Sequence, residues 1–342
     1  MTKNQGFQTI VKIPEFRWKG GYEKFHLFIG SCFTENVGQK MAELKYPVDI
    51  NPFGILYNPV SVAHALRLLL KNEAFSGNDL IHHGGLWHSF FHHSRFSSPD
   101  KPKALSAINS RLKTSAQFLQ KADFLFITFG TAWVYEYKPT GQTVSNCHKI
   151  PGKLFRRYRL SGGEIVEEFR ILLEEIWKIN PDLKIIFTVS PIRHWKDGAI
   201  ENQRSKATLI LAIDQLLRGF GNERCAYFPA YEIVMDELRD YRFYSEDMIH
   251  LSPLAVKHIW EKFAENFLDT KSREISGEVQ KVVNAMNHKP FNRLTKEYLQ
   301  FLEQSLLKTQ TLQENFSYLN LTFEENFFLE QIDKISHELP QI

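Results

Sequence analysis

The stretch His26-Leu-Phe-Ile-Gly-Ser-Cys-Phe-Thr-Glu-Asn-Val-Gly-Gln-Lys-Met-Ala-Glu-Leu44 decides the fold class of this 342-residue chain. It starts with a short apolar run that ends at Gly30, and it continues with apolar residues at helical spacing. Short apolar runs of this kind are typical of strands that are buried on both faces of a parallel sheet. The stretch therefore predicts a strand, a tight turn that contains Ser31, and a helix.

The same alternation continues along the chain. Apolar runs that end in a turn signal recur at residues 123–130, 183–190 and 225–229. Segments with helical periodicity lie between them, and one more follows the last run at residues 253–268. Strands that alternate with helices predict a parallel sheet with helices on both faces.

We therefore expect an α/β fold, a three-layer α/β/α sandwich with a mostly parallel, flavodoxin-like sheet, in residues 1–269. Residues 270–342 have a polar helical pattern without a strand signal, which predicts a C-terminal helical appendage. Residues 81–95 and 133–160 fit no regular period, and long irregular stretches inside a compact domain are usually functional or disordered.

The composition excludes several classes of protein. Its 43% hydrophobic and 24% charged residues are those of an ordinary globular protein, and a net charge of +3 does not indicate a nucleic-acid partner. No segment approaches the roughly 18 apolar residues that span a membrane, and the first residues do not resemble a signal peptide. Three widely spaced cysteines, Cys32, Cys147 and Cys225, predict neither a disulfide framework nor a zinc site. These features predict a cytoplasmic protein.

Ser31 has two possible roles at its predicted turn. Serine is a common N-cap residue, so Ser31 could simply begin the helix. In an open α/β sheet, however, ligands bind beyond the carboxyl ends of the strands, and Ser31, Gly54, Gly130 and Ser190 each follow a predicted strand. A serine nucleophile needs a base to remove its proton, so its role depends on a partner elsewhere in the chain.

The sequence Asp247-Met-Ile-His250 offers such a partner. A carboxylate that binds one imidazole nitrogen leaves the other nitrogen to act as a base, as in a Ser-His-Asp triad. The same D-x-x-H pattern also occurs at Asp79-Leu-Ile-His82. The later copy is favoured because it follows the last predicted strand and should return to the same edge of the sheet as Ser31.

Gly30-Ser-Cys-Phe-Thr34 resembles the signature of the GSCFA family, in which the last position is usually alanine. That family in turn resembles the SGNH, or GDSL-like, hydrolases. Further blocks typical of the family lie at residues 51–59, 129–135, 146–149, 188–191 and 247–250. The resemblance extends over residues 22–268.

The resemblance implies an SGNH-type esterase in which Ser31 is the nucleophile, His250 the base and Asp247 the orienting acid. Such enzymes often remove small acyl groups, such as acetyl, from carbohydrates through an acyl-enzyme. A small-molecule or carbohydrate ester is therefore the expected substrate. No metal or organic cofactor is expected, and neither a nucleic acid nor a membrane is an expected partner.

The resemblance also implies donors for an oxyanion hole. Gly54 is the position whose backbone N–H is expected to serve, together with the N–H of Ser31. The third block usually reads G-x-N, but here alanine follows Gly130 and Thr131 where the asparagine normally stands. Thr131 or Asn146 would then replace the missing donor, and His148 is a candidate for substrate contact.

Three alternatives stay open at this point. Cys32 could be the nucleophile, because a thiol at a helix N-terminus can have a lowered pKa. The chain could be a non-catalytic, carbohydrate-binding member of the fold, which the missing asparagine favours. It could also be a metal-dependent hydrolase that uses the cluster His82, His83, His88, His92 and His93.

Overall fold

The computed structural model describes residues 9–338 of the chain. The strands are β1 (His26–Gly30), β2 (Val48–Ile50), β3 (Ile81–His83), β4 (Leu86–His88), β5 (Phe124–Phe129), β6 (Trp133–Tyr137), β7 (Gln142–Val144), β8 (Phe155–Arg159), β9 (Lys184–Val189) and β10 (Cys225–Tyr227). The helices are α1 (Cys32–Glu43), α2 (Pro59–Lys71), α3 (Lys101–Lys121), α4 (Gly162–Ile179), α5 (Gly198–Phe220), α6 (Ala230–Glu232), α7 (Pro253–Phe267), α8 (Thr270–Met286), α9 (Lys296–Asn315) and α10 (Thr322–Glu338).

Five of the strands form a parallel sheet in the order β10-β9-β5-β1-β2. Counted within the sheet alone, the order is 2-1-3-4-5, which is the flavodoxin-like arrangement. The order reverses between β1 and β5, and open α/β sheets bind ligands beyond the carboxyl ends of the strands at such a point. The predicted parallel sheet is therefore confirmed, and its topology places a crevice next to Ser31.

Helices cover both faces of this sheet, as expected for three layers. Neighbouring side chains of β1 point to opposite faces, so Leu27 and Ile29 belong to one hydrophobic core and Phe28 belongs to the other. Buried residues of α2 to α5 complete the first core, and buried residues of α1 and α7 contribute to the second.

The C-terminal helices pack into the second core. Val279 of α8, Leu302 of α9 and Phe328 of α10 are fully buried, in the same cluster as Phe28. The predicted helical appendage is thus confirmed over the described residues 270–338, while residues 339–342 lie outside them. The division of the chain into two domains after residue 269 stays a prediction.

The prediction of irregular structure was wrong in two places. Strands β6, β7 and β8 form an antiparallel sheet within residues 133–160, and β3 and β4 form a hairpin within residues 81–95. These strands are three to five residues long and rich in polar residues, so they carry no continuous apolar run. Their pairing depends on neighbours that no local pattern identifies.

No helix within residues 9–338 has both the length and the apolar character that crossing a lipid bilayer requires. The three cysteines are free thiols.

Candidate active site

A cavity of about 370 Å³ opens at the carboxyl edge of the parallel sheet. Ser31 follows β1, Thr131 follows β5 and Ser190 follows β9, and all three line this cavity. Its position is the crevice that the reversal of strand order predicts. The edge of the sheet therefore brings together residues that are far apart in the sequence.

Gly30 fixes the turn that carries Ser31. It has a φ of +142°, and a Cβ atom at this position would lie 2.3 Å from the carbonyl oxygen of Thr128 in the neighbouring strand. The backbone N–H of Gly30 donates to Asn51 Oδ1 at 2.9 Å, and its carbonyl accepts from the N–H of Leu56 at 2.9 Å. Only glycine allows this close approach, so the position of Ser31 is set by the packing of the strands.

The side chain of Ser31 is not used to cap α1. Ser31 occupies the N-cap position, but its hydroxyl accepts no hydrogen bond from the first turn of the helix. Its Oγ is buried without a hydrogen-bond partner, although Ser31 lines the cavity. Ser31 thus begins the helix as its N-cap residue, but its hydroxyl takes no part in the cap. A buried hydroxyl without a partner costs about 1–3 kcal/mol, which is a cost typical of functional positions.

Asp247 and His250 form a hydrogen-bonded pair at the edge of the same cavity. His250 Nδ1 lies 2.5 Å from Asp247 Oδ2, and the backbone N–H groups of Ile249 and His250 both donate to Asp247 Oδ1 at 2.9 Å. The bond to the His250 side chain, together with these N–H groups, lowers the pKa of Asp247 to about 2. The carboxylate therefore stays ionised and orients the imidazole, which lines the cavity together with Ser31.

The structure does not join His250 to Ser31 by a hydrogen bond, since Ser31 Oγ has no partner. Both side chains of the pair are about half exposed, His250 by 58% and Asp247 by 48%.

The other D-x-x-H copy has a structural role. Asp79 Oδ2 accepts hydrogen bonds from the N–H and the hydroxyl of Ser76 in a capping box. His82 lies in β3, with its ring 4.9 Å from that of Trp87. Neither residue lines the cavity at the sheet edge.

Cys32 lines the cavity beside Ser31. Burial raises the pKa of its thiol, although hydrogen bonds from backbone N–H groups and the positive charge of Lys206 act in the opposite direction. The thiol is therefore neutral near pH 7, because the charge of a thiolate is poorly solvated at this position. The argument for Cys32 as nucleophile relied on a lowered pKa, so it loses its basis.

Gly54, the glycine predicted for the oxyanion hole, and Gly130, which begins the third block, both use their N–H groups elsewhere. The N–H of Gly54 donates to the carbonyl of Asn51 at 2.8 Å, and that of Gly130 donates to the carbonyl of Tyr57 at 2.7 Å. Gly54 has a φ of +80° and lies against His93, so it is required by the turn. Thr131 lines the cavity, but its hydroxyl is engaged with Ser205 Oγ at 3.0 Å. These groups are therefore engaged within the protein, and their assignment as oxyanion donors stays a prediction.

Asn146 and His148 do not line the cavity. Asn146 Oδ1 accepts from the N–H of His148 at 2.9 Å, in a turn where His148 has a φ of +47°. The ring of His148 stacks on His88 at 4.3 Å, and its Nε2 lies 2.8 Å from the carbonyl oxygen of Ser89. Burial lowers the pKa of His148 to about 4. Both residues hold the loop together, which corrects their predicted contact with substrate or oxyanion.

The histidines of residues 82–93 are also held individually. His88 Nδ1 lies 2.7 Å from Ser97 Oγ, and His92 Nδ1 lies 2.9 Å from Ser89 Oγ. Within residues 9–338, no three side chains of histidine, cysteine, aspartate or glutamate come together in a way that could hold a metal ion. The hypothesis of a metal-dependent hydrolase thus finds no ligand set in this part of the chain.

Comparison with known families identifies the chain. The sequence model of the GSCFA family matches residues 26–263, which is more than half of the chain. The chain belongs to the GSCFA family. A second model, described as GSCFA domain protein, C-terminal domain, matches residues 279–334. No curated protein matches the chain. The predicted membership is confirmed, and the further resemblance to SGNH hydrolases stays a prediction.

Asn58, the N-cap residue of α2, is a further polar residue at this cavity of the GSCFA protein. It is buried, lines the cavity and accepts the N–H of Ser61 on its Oδ1 at 2.8 Å. The preceding residue, Tyr57, accepts from the N–H groups of Gly130 and Thr131, so Asn58 is anchored beside the end of β5. Because the cap fixes Oδ1 as the acceptor, the Nδ2 group is the part of this cavity-lining side chain that can donate to a ligand.

Lys206 lies beneath the cavity of this GSCFA protein and had no signal in the sequence. Its side chain is fully buried, and its Nζ donates to the carbonyl oxygens of Gly130 and Ser190, both at 2.6 Å. Burial lowers the pKa of Lys206 to about 7, whereas the two carbonyl acceptors favour the charged ammonium. Lys206 thereby links the carboxyl ends of β5 and β9.

One wall of the cavity is aromatic and cationic. Tyr135 of β6 pairs with Arg157 of β8, and the guanidinium of Arg157 lies over the rings of Trp133 and Tyr135. Arg157 also forms an ion pair with Asp197. This wall lies in the segment predicted to be irregular, so only the structure reveals it.

Proposed function

We propose that this GSCFA protein is a serine hydrolase of the SGNH type that cleaves ester bonds. The observation that carries the proposal is the hydrogen-bonded pair of Asp247 and His250 on the same cavity as Ser31. The hydroxyl of Ser31 is buried and has no hydrogen-bond partner. A nucleophile, a base and an orienting carboxylate are the groups that acyl transfer requires.

The proposed reaction follows from these groups. His250 takes the proton of Ser31, and Ser31 Oγ attacks the acyl carbonyl, while Asp247 stabilises the imidazolium that forms. His250 then gives the proton to the leaving alcohol, and an acyl-serine remains. A water molecule, activated by His250, hydrolyses this intermediate and restores the serine. The expected substrate is an ester of a small acyl group, such as acetyl, carried by a carbohydrate or another small molecule.

The oxyanion needs donors that are not already bound. The N–H of Ser31 donates to the carbonyl of Thr128 at 3.3 Å, which is a long bond. Asn58 lines the cavity and can donate from its Nδ2, and the first N–H groups of α1 have no backbone acceptor inside the helix. The positive end of the α1 dipole acts in the same direction. Asn58 and the first turn of α1 are therefore the proposed oxyanion donors.

Labelling with a fluorophosphonate probe tests the proposal, because the probe reacts with activated serines. We expect the full-length protein to be labelled and Ser31→Ala to lose the label. Ser190→Ala is the matched control, since Ser190 is also buried and lines the same cavity. His250→Ala should label far more slowly, whereas His194→Ala removes a cavity histidine without a carboxylate partner and should label normally. No labelling of the unmodified protein, or full labelling of Ser31→Ala, would contradict the proposal.

A second candidate function is binding of carbohydrates without catalysis. Two observations favour it. The N–H groups of Gly54 and Gly130 already donate to backbone carbonyls, and no hydrogen bond joins Ser31 to His250. A binding protein would neither react with the probe nor hydrolyse 4-nitrophenyl acetate, and Ser31→Ala would bind ligands as the unmodified protein does.

The proposal includes a cytoplasmic location. Its support is chemical, because the three cysteines are free thiols and disulfides are rare in the reducing cytoplasm.

A further inference from the structure

A second cavity of about 350 Å³ lies beside the first. The two cavities share Arg193 and Ile249, so Arg193 stands between them. We call the second one the Arg193 cavity. Apolar and aromatic side chains form most of its wall, namely Trp195, Val234, Met235, Leu238, Tyr241, Tyr244 and Met248. It therefore continues the proposed catalytic cleft with a surface that suits the body of an organic molecule.

Arg193 has no carboxylate partner among the described residues. The other two arginines that line these cavities are paired, Arg157 with Asp197 and Arg239 with Asp236. The hydrogen bond that Arg193 makes is to the sulfur of Met235, at 3.3 Å, and a thioether is a weak acceptor. Most of the donor capacity of this guanidinium is thus left for a ligand.

The surroundings of Arg193 reinforce its charge. Lys206 is buried close enough to interact electrostatically with Arg193, and Lys196 on the wall of the first cavity bonds to a tyrosine hydroxyl and not to an acid. Among the described residues, one carboxylate lines the Arg193 cavity. It belongs to Asp240 and accepts a hydrogen bond from the backbone N–H of Arg242. The space around Arg193 therefore favours a negative ligand group.

The backbone at Arg193 is held on both sides. The N–H of Ile192 donates to Ser190 Oγ at 3.3 Å, and the N–H of His194 donates to Asn202 Oδ1 at 3.0 Å. A guanidinium on a fixed backbone loses less entropy when it binds, and its planar fork matches the two oxygens of a carboxylate or phosphate.

We propose that the Arg193 cavity is a substrate subsite in which Arg193 binds an anionic group, a carboxylate or a phosphate. The substrate class is then an ester that carries a negative charge beyond the bond to be cleaved, with an apolar or aromatic portion between them. This inference rests on the proposed ester hydrolysis. It names the chemistry of the substrate, which the catalytic residues alone do not.

Three acetate esters of one shape test the subsite: 4-acetoxybenzoate, 4-acetoxyphenyl phosphate and the neutral 4-acetoxybenzamide. We expect kcat/KM of at least one anionic ester to exceed that of the amide by about tenfold or more, as for a charged hydrogen bond. Arg193→Gln should lower the anion-to-amide ratio by about the same factor, and Arg193→Lys should keep part of it. Arg239→Gln is the matched control, because it removes a paired arginine of the same cavity and should leave the ratio unchanged. Comparing ratios between variants cancels the different reactivities of the esters.

Binding to the Ser31→Ala variant separates this inference from the proposed hydrolysis. Calorimetry should show tighter binding of 4-hydroxybenzoate or 4-hydroxyphenyl phosphate than of 4-hydroxybenzamide, and Arg193→Gln should abolish the difference. Hydrolysis without any anion preference, and equal binding of the three products, would overturn the subsite while the hydrolase proposal stands. Absence of hydrolysis, with binding that depends on Arg193, would overturn the hydrolase proposal and support the subsite.

Discussion

His26 makes the stability of the parallel sheet depend on pH. Its side chain is fully buried at the start of β1, 5.5 Å from the stacked ring of Phe124, and its Nε2 has no hydrogen-bond partner. Burial lowers the pKa of His26 from 6.5 to about 4. Between these two values the unfolded chain binds a proton and the folded chain does not, so acid favours unfolding. Above pH 6.5 the titration of His26 costs no stability, and the unfolding free energy falls as the pH decreases from 6.5 to 4.

The size of the effect follows from the two pKa values. At about 1.36 kcal/mol per pKa unit, the interval corresponds to about 3.4 kcal/mol of unfolding free energy at most. His26→Phe keeps a ring against Phe124 and cannot titrate. We therefore expect its unfolding free energy, relative to that of the unmodified protein, to rise by about 3 kcal/mol between pH 7 and pH 4.

Urea unfolding followed by tryptophan fluorescence, from pH 4 to pH 8, measures this difference. The other buried histidines are present in both proteins and cancel. His26 packs closely against Gly20, so His26→Gln provides a smaller variant that also cannot titrate. His337→Phe is the control, because the His337 side chain is 80% exposed and its removal should leave the pH dependence unchanged. The reasoning is refuted if the unfolding free energies of His26→Phe and of the unmodified protein differ by the same amount at every pH, and if the same holds for His26→Gln.

Three further predictions concern the site. Gly30→Ala should lower the unfolding free energy by about 1–3 kcal/mol or more in thermal or urea unfolding, because of backbone strain and the 2.3 Å approach to the Thr128 carbonyl, whereas Gly152→Ala faces open space and should be nearly neutral. Asn58→Ser keeps a capping side chain but loses the amide donor, so the melting temperature should hardly change while kcat for 4-nitrophenyl acetate falls by about 10²-fold; an unchanged kcat would remove Asn58 from the oxyanion hole. Lys206→Met leaves two buried carbonyls without their ammonium donor and should lower the unfolding free energy by about 1–3 kcal/mol in urea unfolding. Equal or greater stability of the variant would show that burying the charge costs more free energy than its two hydrogen bonds contribute.

The fold was predictable where burial leaves a local pattern. Strands β1, β5 and β9 are buried on both faces, so each appears in the sequence as a continuous apolar run. Helix α4 likewise begins at the capping box of Ser161 and Glu164, a local S-x-x-E pattern that a sequence displays directly. Strand β8, Phe-Arg-Arg-Tyr-Arg, has no such pattern, because Arg156 and Arg157 are ordered by contacts with β6 and with Asp197 just before α5.

In the candidate site, too, some residues are indicated by a local sequence pattern, whereas others are brought together only by the fold. Asp247 and His250 were identifiable because they lie three residues apart and bond within one turn. The N–H of Gly54 donates to Asn51, which the motif could not indicate, because the direction of a backbone N–H depends on turn geometry that a motif does not specify. Lys206 resembles any polar residue of an amphipathic helix, and its role exists only because α5 packs behind the ends of two strands.

Helix α1 connects the turn of Ser31 with the C-terminal helices of the fold. The residues at and just after its C-terminal end are clamped by the C-terminal helices: Lys40 bonds to Gln280, Lys45 pairs with Glu324, and the hydroxyl of Tyr46 bonds to the carbonyl of Ser272. A helix of 12 residues is about 18 Å long. Residues 270–338 therefore hold the C-terminal end of α1, while Cys32 at the N-terminal end of the same helix lines the cavity beside Ser31.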